Sequence, residues 1–343
     1  MQLTGDLCVG EIEQHLRQTL SEAGFFEDEI YQRLQTERHA QFAQAHCREA
    51  AHAGVAYPEE SEPLRAMLDR YMSASPASTP LSGLVGIAAP HISPEGGYRT
   101  YAAAYGALGP EYRDRVFVIL GTSHYGEPDR FGLTRKPYVT PLGETRTEQA
   151  LIERLQADGG PAVKMEDYCH AVEHSIEFQI LFLQHLYGPD IRVLPLLCGT
   201  FARAFHDNGT PEDDDNVRRF FDALADLAVR EGPRLFWVLG IDLAHMGRRY
   251  GDLFSARADE REMEQTAAAD RHRLALIEAG DAAGFWAAIR ENGDALKWCG
   301  ASPLYTFLKA VPAARARVLG YEQWNIDDQS VVSFGALAFT SPA

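Results

Sequence analysis

Three apolar segments of the chain run directly into residues that can bind a metal ion or transfer a proton. LVGIAAP precedes His91, VFVILGTS precedes His124, and LFWVLGI precedes Asp242, with His245 three residues further on. Imidazole nitrogens bind zinc, iron and copper, and an imidazole or carboxylate beside such an ion can accept a proton. A histidine after a strand is also commonly an ordinary turn residue, so the prediction depends on the repetition of the pattern.

Cys299 can supply an anionic ligand to the same site. It lies in the segment KWCGASPLY, where Gly300 allows a tight turn and Ser302-Pro303 is typical of a helix start. The free N–H groups at a helix N-terminus favour a thiolate, although a lone cysteine is also commonly a buried, unreactive side chain. The resulting hypothesis is a single metal-binding pocket that contains His91, His124, Asp242, His245 and Cys299.

These candidate ligands need a rigid sheet to position them. From Leu84 onward, short apolar runs of the buried-strand type alternate with helical periods, which predicts an α/β fold with a mainly parallel or mixed central sheet flanked by helices. Ligands of such sheets bind beyond the carboxyl ends of the strands. The predicted strands are LVGIAA, VFVIL, IRVLPLL, LFWVLGI, ARVLGY and VVSFGALAF, and the predicted helices include residues 98–108, 146–157 and 175–187.

The N-terminal part of the chain has a different pattern. Apolar residues spaced by four and a stop at Gly24 predict one helix, and a second helical stretch follows from Glu27. We interpret residues 1–50 as a helical extension with a packing or partner-binding role, and residues 51–343 as the α/β domain. Within that domain we expect a further helix over residues 62–72 and a linker in the Ser- and Pro-rich stretch SASPASTPLSG.

Composition excludes several classes of function. The 343 residues include 49 Asp and Glu against 32 Lys and Arg, so the net charge is −17, and such a surface repels nucleic acid and anionic lipid. No apolar run approaches the roughly 18 residues of a membrane-spanning helix, and the first residues lack the pattern of a signal peptide. The five cysteines are widely spaced, as is typical of reduced thiols. We therefore expect a cytoplasmic protein that binds neither nucleic acid nor membrane.

A competing pattern lies between the predicted strands VFVIL and IRVLPLL. His170, Glu173 and His174 form H-x-x-E-H, the pattern of inverted zincin peptidases, in which two helical histidines bind zinc and the glutamate activates water. The pattern requires residues 170–174 to be helical, whereas the apolar helical period begins only around Ser175. A zinc-dependent hydrolase that uses these three residues is therefore the third functional hypothesis.

An ordered set of short motifs resembles the Memo family, whose bacterial members are called AmmeMemoRadiSam system protein B. The resemblance covers roughly residues 50 to 340 and leaves the helical extension outside. It implies a fold similar to that of the class III extradiol dioxygenases (LigB-like), in which two histidines and a carboxylate bind non-haem iron(II) beside a base histidine. The motifs are Ala53-Gly54-x-x-Tyr57-Pro58, Pro90-His91, Gly121-x-Ser123-His124, Glu173-His174-Ser175-x-Glu177, Asp242-x-x-His245, Cys299-Gly300 and Asp328-x-Ser330-Val331.

The resemblance implies a role for each candidate residue. His91, His124 and Cys299 would be the metal ligands, and Asp242 and His245 would flank the open side, with His245 as the base. A thiolate in place of a carboxylate makes a softer site, so copper or zinc are alternatives to iron(II). The residues expected around the ligands are Glu173, His174, Tyr98 and Tyr125.

Three positions depart from the patterns that are frequent in this family. Residues 92–97 separate His91 from Tyr98, Tyr125 stands where a second histidine is common, and no serine directly precedes Asp242. The predicted ligands survive these changes. The first departure predicts a reshaped entrance, and the others alter the acid–base surroundings of the site.

Two functions from different classes follow. The first is a metal-dependent redox enzyme, related to extradiol dioxygenases, that acts on a small oxygenated substrate. The second is a non-catalytic module that binds a peptide or a partner protein, and the resemblance implies radical-SAM and AMMECR1-like proteins as partners in bacteria.

Overall fold

A computed structural model of the chain describes residues 9–74, 80–258 and 260–341. The chain separates into two units, one that ends at Ala45 and one that begins at His46. Residues 75–79 of the predicted linker lie outside the described residues.

The first unit is helical, as its apolar spacing predicts. Helix α1 (Val9–Glu22) is followed by Gly24 at a φ of +78°, a left-handed conformation that glycine adopts without strain. Helix α2 (Glu29–Gln44) begins after Asp28, whose side chain accepts hydrogen bonds from the backbone N–H groups of Ile30 and Tyr31, both at 3.0 Å. A capping carboxylate satisfies N–H groups that have no partner within the helix, so it fixes where α2 starts.

The second unit contains ten helices and twelve strands among the residues that the structure describes. The helices are α3 (Ser61–Met72), α4 (Pro94–Tyr105), α5 (Gln149–Asp158), α6 (Cys169–Val172), α7 (Glu177–Tyr187), α8 (Ala202–His206), α9 (Asp215–Glu231), α10 (Arg261–Glu278), α11 (Ala282–Arg290) and α12 (Ala301–Ala310). The strands are β1 (Leu84–Ala89), β2 (Val116–Thr122), β3 (Phe131–Leu133), β4 (Val139–Thr140), β5 (Gly143–Glu144), β6 (Arg146–Thr147), β7 (Val163–Met165), β8 (Arg192–Cys198), β9 (Leu235–Gly240), β10 (His245–Gly247), β11 (Arg315–Asp327) and β12 (Ser330–Thr340).

Most of these strands form one mixed sheet, which confirms the predicted fold class. Its order is β10-β12-β1-β9-β2-β8-β3-β7, with β11 paired to β12 and β6 paired to β8. The central strands β1, β9, β2 and β8 are parallel, whereas β12 joins β1 and β3 joins β8 in antiparallel fashion. The parallel centre is the part of the sheet whose strands end in the candidate ligands.

Both faces of the sheet are buried. In β2 the side chains of Val118 and Leu120 belong to one hydrophobic core, and those of Phe117 and Ile119 belong to the other. Helices α5, α9, α11 and α12 cover the first face, and α3, α4 and α7 cover the second. This burial on two sides explains why the strands are continuous apolar runs without polar alternation.

Three helices begin at positions that differ from the prediction. Helix α5 begins at Gln149, three residues later than expected, because residues 146–147 pair with β8 as strand β6. The Thr145 hydroxyl does not cap the helix, since it accepts the backbone N–H of Tyr138 at 2.9 Å. Helix α4 begins at Pro94, so residues 94–97 form its first turn instead of an open loop. Helix α7 begins at Glu177, two residues later than expected.

Among the helices of the described segments, none combines the length and the apolar character that crossing a bilayer requires. The cytoplasmic location stays a prediction.

Candidate metal centre

The candidate ligands of three strands meet at one edge of the sheet. Ala89, at the end of β1, is in register with Gly240, at the end of β9, and Gly240 is also in register with Gly121 of β2. Parallel strands that end in register carry their following residues to the same place. The loops after β1, β2 and β9 therefore bring His91, His124 and Asp242 together.

The His91 ring is buried and fixed in one orientation. Its Nδ1 atom lies 2.9 Å from the carbonyl oxygen of Gly240, which can only accept, so Nδ1 carries the hydrogen and Nε2 keeps a lone pair. Nε2 lies 3.2 Å from the Cys299 sulfur and 3.6 Å from Oδ2 of Asp242. Burial, together with the positive charge of His124, lowers the pKa of His91 well below its ordinary value. The ring is therefore neutral and able to bind a cation.

The His124 ring is oriented by a buried carboxylate. Its Nδ1 atom donates to Oε1 of Glu173 at 2.9 Å, and its backbone N–H donates to Oε2 of the same residue at 2.8 Å. Burial lowers the pKa of His124, but the hydrogen bond and the negative charge of Glu173 outweigh burial and raise the pKa overall. The same contacts hold the pKa of Glu173 far below its usual range despite its burial. Glu173 therefore stays ionised and directs Nε2 of His124 towards the site.

A third histidine, His174, belongs to the same cluster. Ligand atoms of His91, His124 and His174 all lie within 4.8 Å of one another, a spacing at which they could hold a metal ion. The His174 ring stacks on that of His124 at 5.1 Å between centroids, and its Nδ1 lies 3.2 Å from Oε1 of Glu173. The sequence predicted His174 among the surroundings of the ligands. Its position as a further potential ligand was missed because it follows a short helix and no strand.

Cys299 lies beside His91, as the hypothesis of one shared pocket requires. Its sulfur is 3.2 Å from Nε2 of His91 and 3.6 Å from the carbonyl oxygen of Asp242. It immediately precedes Gly300 and helix α12, but burial and the charge of Asp242 raise its pKa well above the ordinary value. Burial therefore opposes the thiolate that the helix N-terminus was expected to favour, and a metal ion would have to displace the thiol proton.

Asp242 and His245, the predicted acid–base residues, both have shifted pKa values. Burial raises the pKa of Asp242 to about 7, although its Oδ1 atom accepts the backbone N–H groups of His91 at 3.0 Å and of Ile92 at 3.3 Å. Burial lowers the pKa of His245 to about 4. Its Nδ1 lies 3.0 Å from the carbonyl oxygen of Leu243 and 3.1 Å from that of Lys297, so Nε2 is unprotonated and can act as a base.

The two tyrosines expected around the ligands occupy different surroundings. The Tyr125 side chain is largely exposed, and its ring lies 6.4 Å from that of His124. Tyr98 lies in α4, where its ring stacks on Tyr71 of α3 at 5.3 Å. Tyr125 is therefore at the mouth of the cluster, whereas Tyr98 contributes to the packing of two helices.

The H-x-x-E-H pattern does not form the helix that a zincin requires. Helix α6 ends at Val172, and Glu173 has an extended backbone with a ψ of 138°. His170 is fully buried, with Nδ1 2.7 Å from the Tyr138 hydroxyl and Nε2 3.0 Å from the carbonyl oxygen of Gly132. Since both ring nitrogens are engaged in the core, the geometry does not support the zinc hydrolase hypothesis.

A buried ion pair that the sequence did not reveal supports the loop that carries Glu173. The Arg48 guanidinium pairs with Glu177 and donates to the carbonyl oxygens of His170 at 2.7 Å and of Glu173 at 2.8 Å. Glu177 also accepts the Tyr57 hydroxyl and the backbone N–H of His52. No sequence signal predicts this network, because Arg48 and Glu173 are 125 residues apart in the chain.

The donor set of the site suits a transition metal. Imidazole nitrogens with a nearby thiol are ligands for zinc, copper and iron, and rings that donate their second N–H to a carboxylate or carbonyl are typical of metal ligands. The fold and the site together define an α/β protein with a histidine cluster that can hold a metal ion at the carboxyl ends of parallel strands.

Comparison with known proteins identifies the family of this chain. The sequence profile of the Memo-like protein family matches residues 48–338, and the chain belongs to the Memo family, as its motifs predicted. It is similar to MEMO1 family proteins of Aquifex aeolicus (29% identity over 224 residues, 63% of this chain and 54% of the relative) and Pyrococcus furiosus (30% over 222 residues, 62% and 70%). A MEMO1 family protein of Desulfurococcus amylolyticus is 24% identical over 301 residues, which is 84% of this chain and 96% of the relative. The match thus spans about half the length of the Aquifex protein, 54%.

Proposed function

We propose that this protein binds a transition metal ion at the carboxyl edge of its sheet and uses it in a redox reaction on a small oxygenated substrate. The orientation of two rings carries the proposal. His91 and His124 each donate the Nδ1 hydrogen to a buried oxygen, of Gly240 and Glu173 respectively, which leaves Nε2 of each ring for an ion. On His124, whose raised pKa favours a second proton, the ion would displace that proton from Nε2. Such orientation by outer partners is characteristic of metal-binding histidines.

The third ligand is Cys299 in this proposal. Its sulfur is 3.2 Å from Nε2 of His91, so a small movement admits an ion between the two atoms. His174 is the competing third ligand, because its ring belongs to the same cluster. Iron(II) is the ion that a resemblance to extradiol dioxygenases favours, while a thiolate ligand makes copper or zinc the alternatives.

The residues on the open side would handle protons. A bound iron or copper ion would supply one-electron chemistry and Lewis-acid polarisation of the substrate. His245 has an unprotonated Nε2 at neutral pH and can accept a proton from a substrate hydroxyl. The Asp242 carboxyl has a pKa of about 7 and can therefore both accept and release a proton near neutral pH. Tyr250 packs on the His245 ring at 4.8 Å and limits its movement.

Metal analysis of protein purified without oxygen tests the proposal. We expect about one equivalent of metal in the unchanged protein, and large losses in His91→Ala and Cys299→Ala. His206→Ala and Cys47→Ala are matched controls, because the His206 side chain is 89% exposed and Cys47 contacts Glu49, outside the cluster. Oxygen consumption by the metal-loaded protein with candidate catechol-like substrates then tests redox turnover. Equal metal content in the unchanged protein and in His91→Ala would refute the site.

One observation favours the alternative of a non-catalytic binding module. Large apolar side chains next to the site segments are exposed, with Val55 at 89%, Tyr125 at 69% and Leu253 at 88%. A protein contact surface would require these side chains to form one contiguous apolar patch. In this alternative the partners are radical-SAM and AMMECR1-like proteins. It predicts partner binding that survives His91→Ala but is lost in Tyr125→Ala and Leu253→Ala, together with an absence of turnover.

A further inference from the structure

A buried carboxylate outside the candidate metal centre receives three hydrogen bonds. Asp270 lies in α10 and is fully buried. Its Oδ1 atom accepts the indole N–H of Trp298 at 2.7 Å, and its Oδ2 atom accepts the hydroxyls of Ser333 at 2.6 Å and Tyr321 at 2.8 Å. A buried carboxylate is expensive unless donors surround it, so its position must fix these three side chains.

One of the three hydrogen bonds leads to the candidate cysteine ligand. Trp298 directly precedes Cys299, and its backbone N–H donates to Oδ2 of Asp294 at 2.9 Å. Asp294 pairs with Arg273, one turn beyond Asp270 in the same helix, at 3.1 Å, and the Arg273 guanidinium lies 5.3 Å from the Trp298 ring centroid. Helix α10 therefore holds both the side chain and the backbone of the residue before Cys299.

The loop that carries Cys299 contains three residues in the left-handed region of φ. Asn292, Asp294 and Lys297 have φ angles of +54°, +52° and +53°, and since asparagine and aspartate adopt this region more readily than other residues, Lys297 is the strained position. Such conformations persist only where surrounding contacts enforce them. The contacts from α10 hold this loop together with two backbone anchors, the hydrogen bond from the Thr122 hydroxyl to the Cys299 carbonyl oxygen at 2.9 Å and that from the Gly300 N–H to the Asp242 carbonyl oxygen at 3.0 Å.

A second hydrogen bond of Asp270 leads to the segment that carries His245. The Ser333 hydroxyl donates to Asp270 and accepts the backbone N–H of Ala244 at 2.8 Å. The backbone N–H of Ser333 donates to the carbonyl oxygen of Ala244 at 2.9 Å. Ala244 directly precedes His245, so this contact sets where the proposed base stands.

We infer that Asp270 is a positioning residue that fixes Cys299, through Trp298, and His245, through Ser333, relative to one another. The inference rests on the proposed metal-binding function. Asp270 reaches the site through these neighbours, and the third hydrogen bond, from Tyr321, leads into β11, although the Tyr321 hydroxyl also faces the Ser333 hydroxyl.

Three donors make the charge of Asp270 essential. If the oxygen of an asparagine faces Ser333 and Tyr321, its NH2 group faces the indole N–H of Trp298, and that hydrogen bond is lost. If the amide is turned the other way, the Ser333 hydroxyl must accept from the NH2 group instead of donating. Asp270→Asn therefore breaks the hydrogen bond that leads to Cys299 or reverses the one that leads to Ala244. The volume of the side chain hardly changes, so packing alone does not account for an effect.

Cobalt(II) is a probe of the Cys299 position, because sulfur-to-cobalt charge-transfer absorption appears only when a thiolate is bound. In Asp270→Asn we expect this absorption to be lost or shifted, and the affinity for cobalt(II) to fall about 10- to 100-fold. Trp298→Phe removes only the hydrogen bond that leads to Cys299 and should alter the same absorption. Ser333→Ala removes the hydrogen bond that leads to Ala244 and should alter the absorption less than Trp298→Phe does.

Tyr321→Phe is the matched control, since it removes one hydrogen bond to the same carboxylate and leaves the hydrogen bonds from Trp298 to Asp270 and from Ala244 to Ser333 in place. We expect its cobalt absorption and affinity to equal those of the unchanged protein. If Asp270→Asn and Trp298→Phe also retain the absorption and affinity of the unchanged protein, Asp270 has no positioning role. If Asp270→Asn fails to fold, a comparison of the cobalt absorption of Trp298→Phe with that of Tyr321→Phe still tests the positioning role.

A readout without metal separates this inference from the proposed function. The rate at which iodoacetamide alkylates Cys299 in the metal-free protein, followed by mass spectrometry of its peptide, reports how firmly the loop is held. We expect faster alkylation in Asp270→Asn and Trp298→Phe, and an unchanged rate in Tyr321→Phe. An unchanged protein that binds no cobalt refutes the metal site, whereas equal alkylation rates in all variants refute the positioning role.

Discussion

The Nδ1 atom of His124 lies 2.9 Å from Oε1 of Glu173, a carboxylate that is fully buried beneath the histidine cluster. Oε2 of the same carboxylate accepts the backbone N–H of His124 at 2.8 Å. One side chain thus fixes both the backbone and the ring of a candidate ligand. This relationship makes Glu173 the residue whose substitution tests the site most directly without removal of a ligand.

Substitution of Glu173 by glutamine should weaken metal binding while the ligands remain. Glutamine can keep one accepting oxygen, but its NH2 group then faces an N–H of His124, which leaves a buried donor unsatisfied at about 1–3 kcal/mol of stability. We expect about a 10- to 100-fold loss in zinc affinity, measured by calorimetric titration. Glu212→Gln is the control. This substitution also removes a carboxylate charge that is paired, in this case with Lys309, and that accepts a hydrogen bond from the Tyr305 hydroxyl. Equal losses in both variants would contradict the role of Glu173.

The number of protons released on metal binding identifies the third ligand. Burial raises the pKa of the Cys299 thiol, so its coordination at pH 6 must release a proton to the buffer. Zinc titration in buffers of different ionisation enthalpy counts these protons. Cys299→Ala should release about one proton fewer than the unchanged protein. If both release the same number, the sulfur is not a ligand and His174 takes its place.

The Glu177 carboxylate should make the protein sensitive to acid. Burial raises the pKa of Glu177, but hydrogen bonds from His52 and Tyr57 and the charge of Arg48 outweigh burial and lower the pKa from 4.5 to about 2. A lowered folded-state pKa gives stability that is complete above pH 4.5 and is lost as the pH falls towards 2. The shift corresponds to about 3 kcal/mol.

Denaturant unfolding of the unchanged protein and of Glu177→Gln tests this linkage. The variant should be less stable by several kcal/mol at neutral pH, because it leaves the buried Arg48 charge without a partner. The difference in unfolding free energy between the two proteins should shrink as the pH is lowered below about 4.5, because acid protonates Glu177 only in the unchanged protein. A difference that stays constant from pH 6 to pH 3 would show that Glu177 does not carry the linkage.

Gly240 should tolerate no side chain, because it lies where the strand and the site meet. A Cβ atom there would stand 2.1 Å from the carbonyl oxygen of Ser175, and the Gly240 carbonyl orients the His91 ring. We expect Gly240→Ala to lower the unfolding free energy by about 1–3 kcal/mol and to weaken zinc binding. In Gly320→Ala the nearest atom is 3.7 Å from the new Cβ, so its stability should change little. Similar stabilities of the two variants would contradict this account.

The sequence by itself determined the sheet and the edge at which the site forms. Continuous apolar runs predict strands that are buried on both faces, and His91, His124 and Asp242 follow such runs directly. Parallel strands end at one edge, so the predicted parallel sheet was enough to place these residues at the same edge. Their proximity follows from the order β1-β9-β2 in the sheet, which the sequence did not predict. The helices of the N-terminal unit were predictable for a similar reason, because their period and their caps are local.

Only the tertiary structure decided how the site is completed and held. His174 joins the cluster because its loop folds back over the edge of the sheet, and Arg48 reaches that loop from 125 residues away. The start of α5 moved to Gln149 because pairing with β8 claims residues 146–147 for a strand. Local patterns cannot encode such contacts, because the hydrogen bonds that fix the tautomers of His91 and His124 come from partners 149 and 49 residues distant.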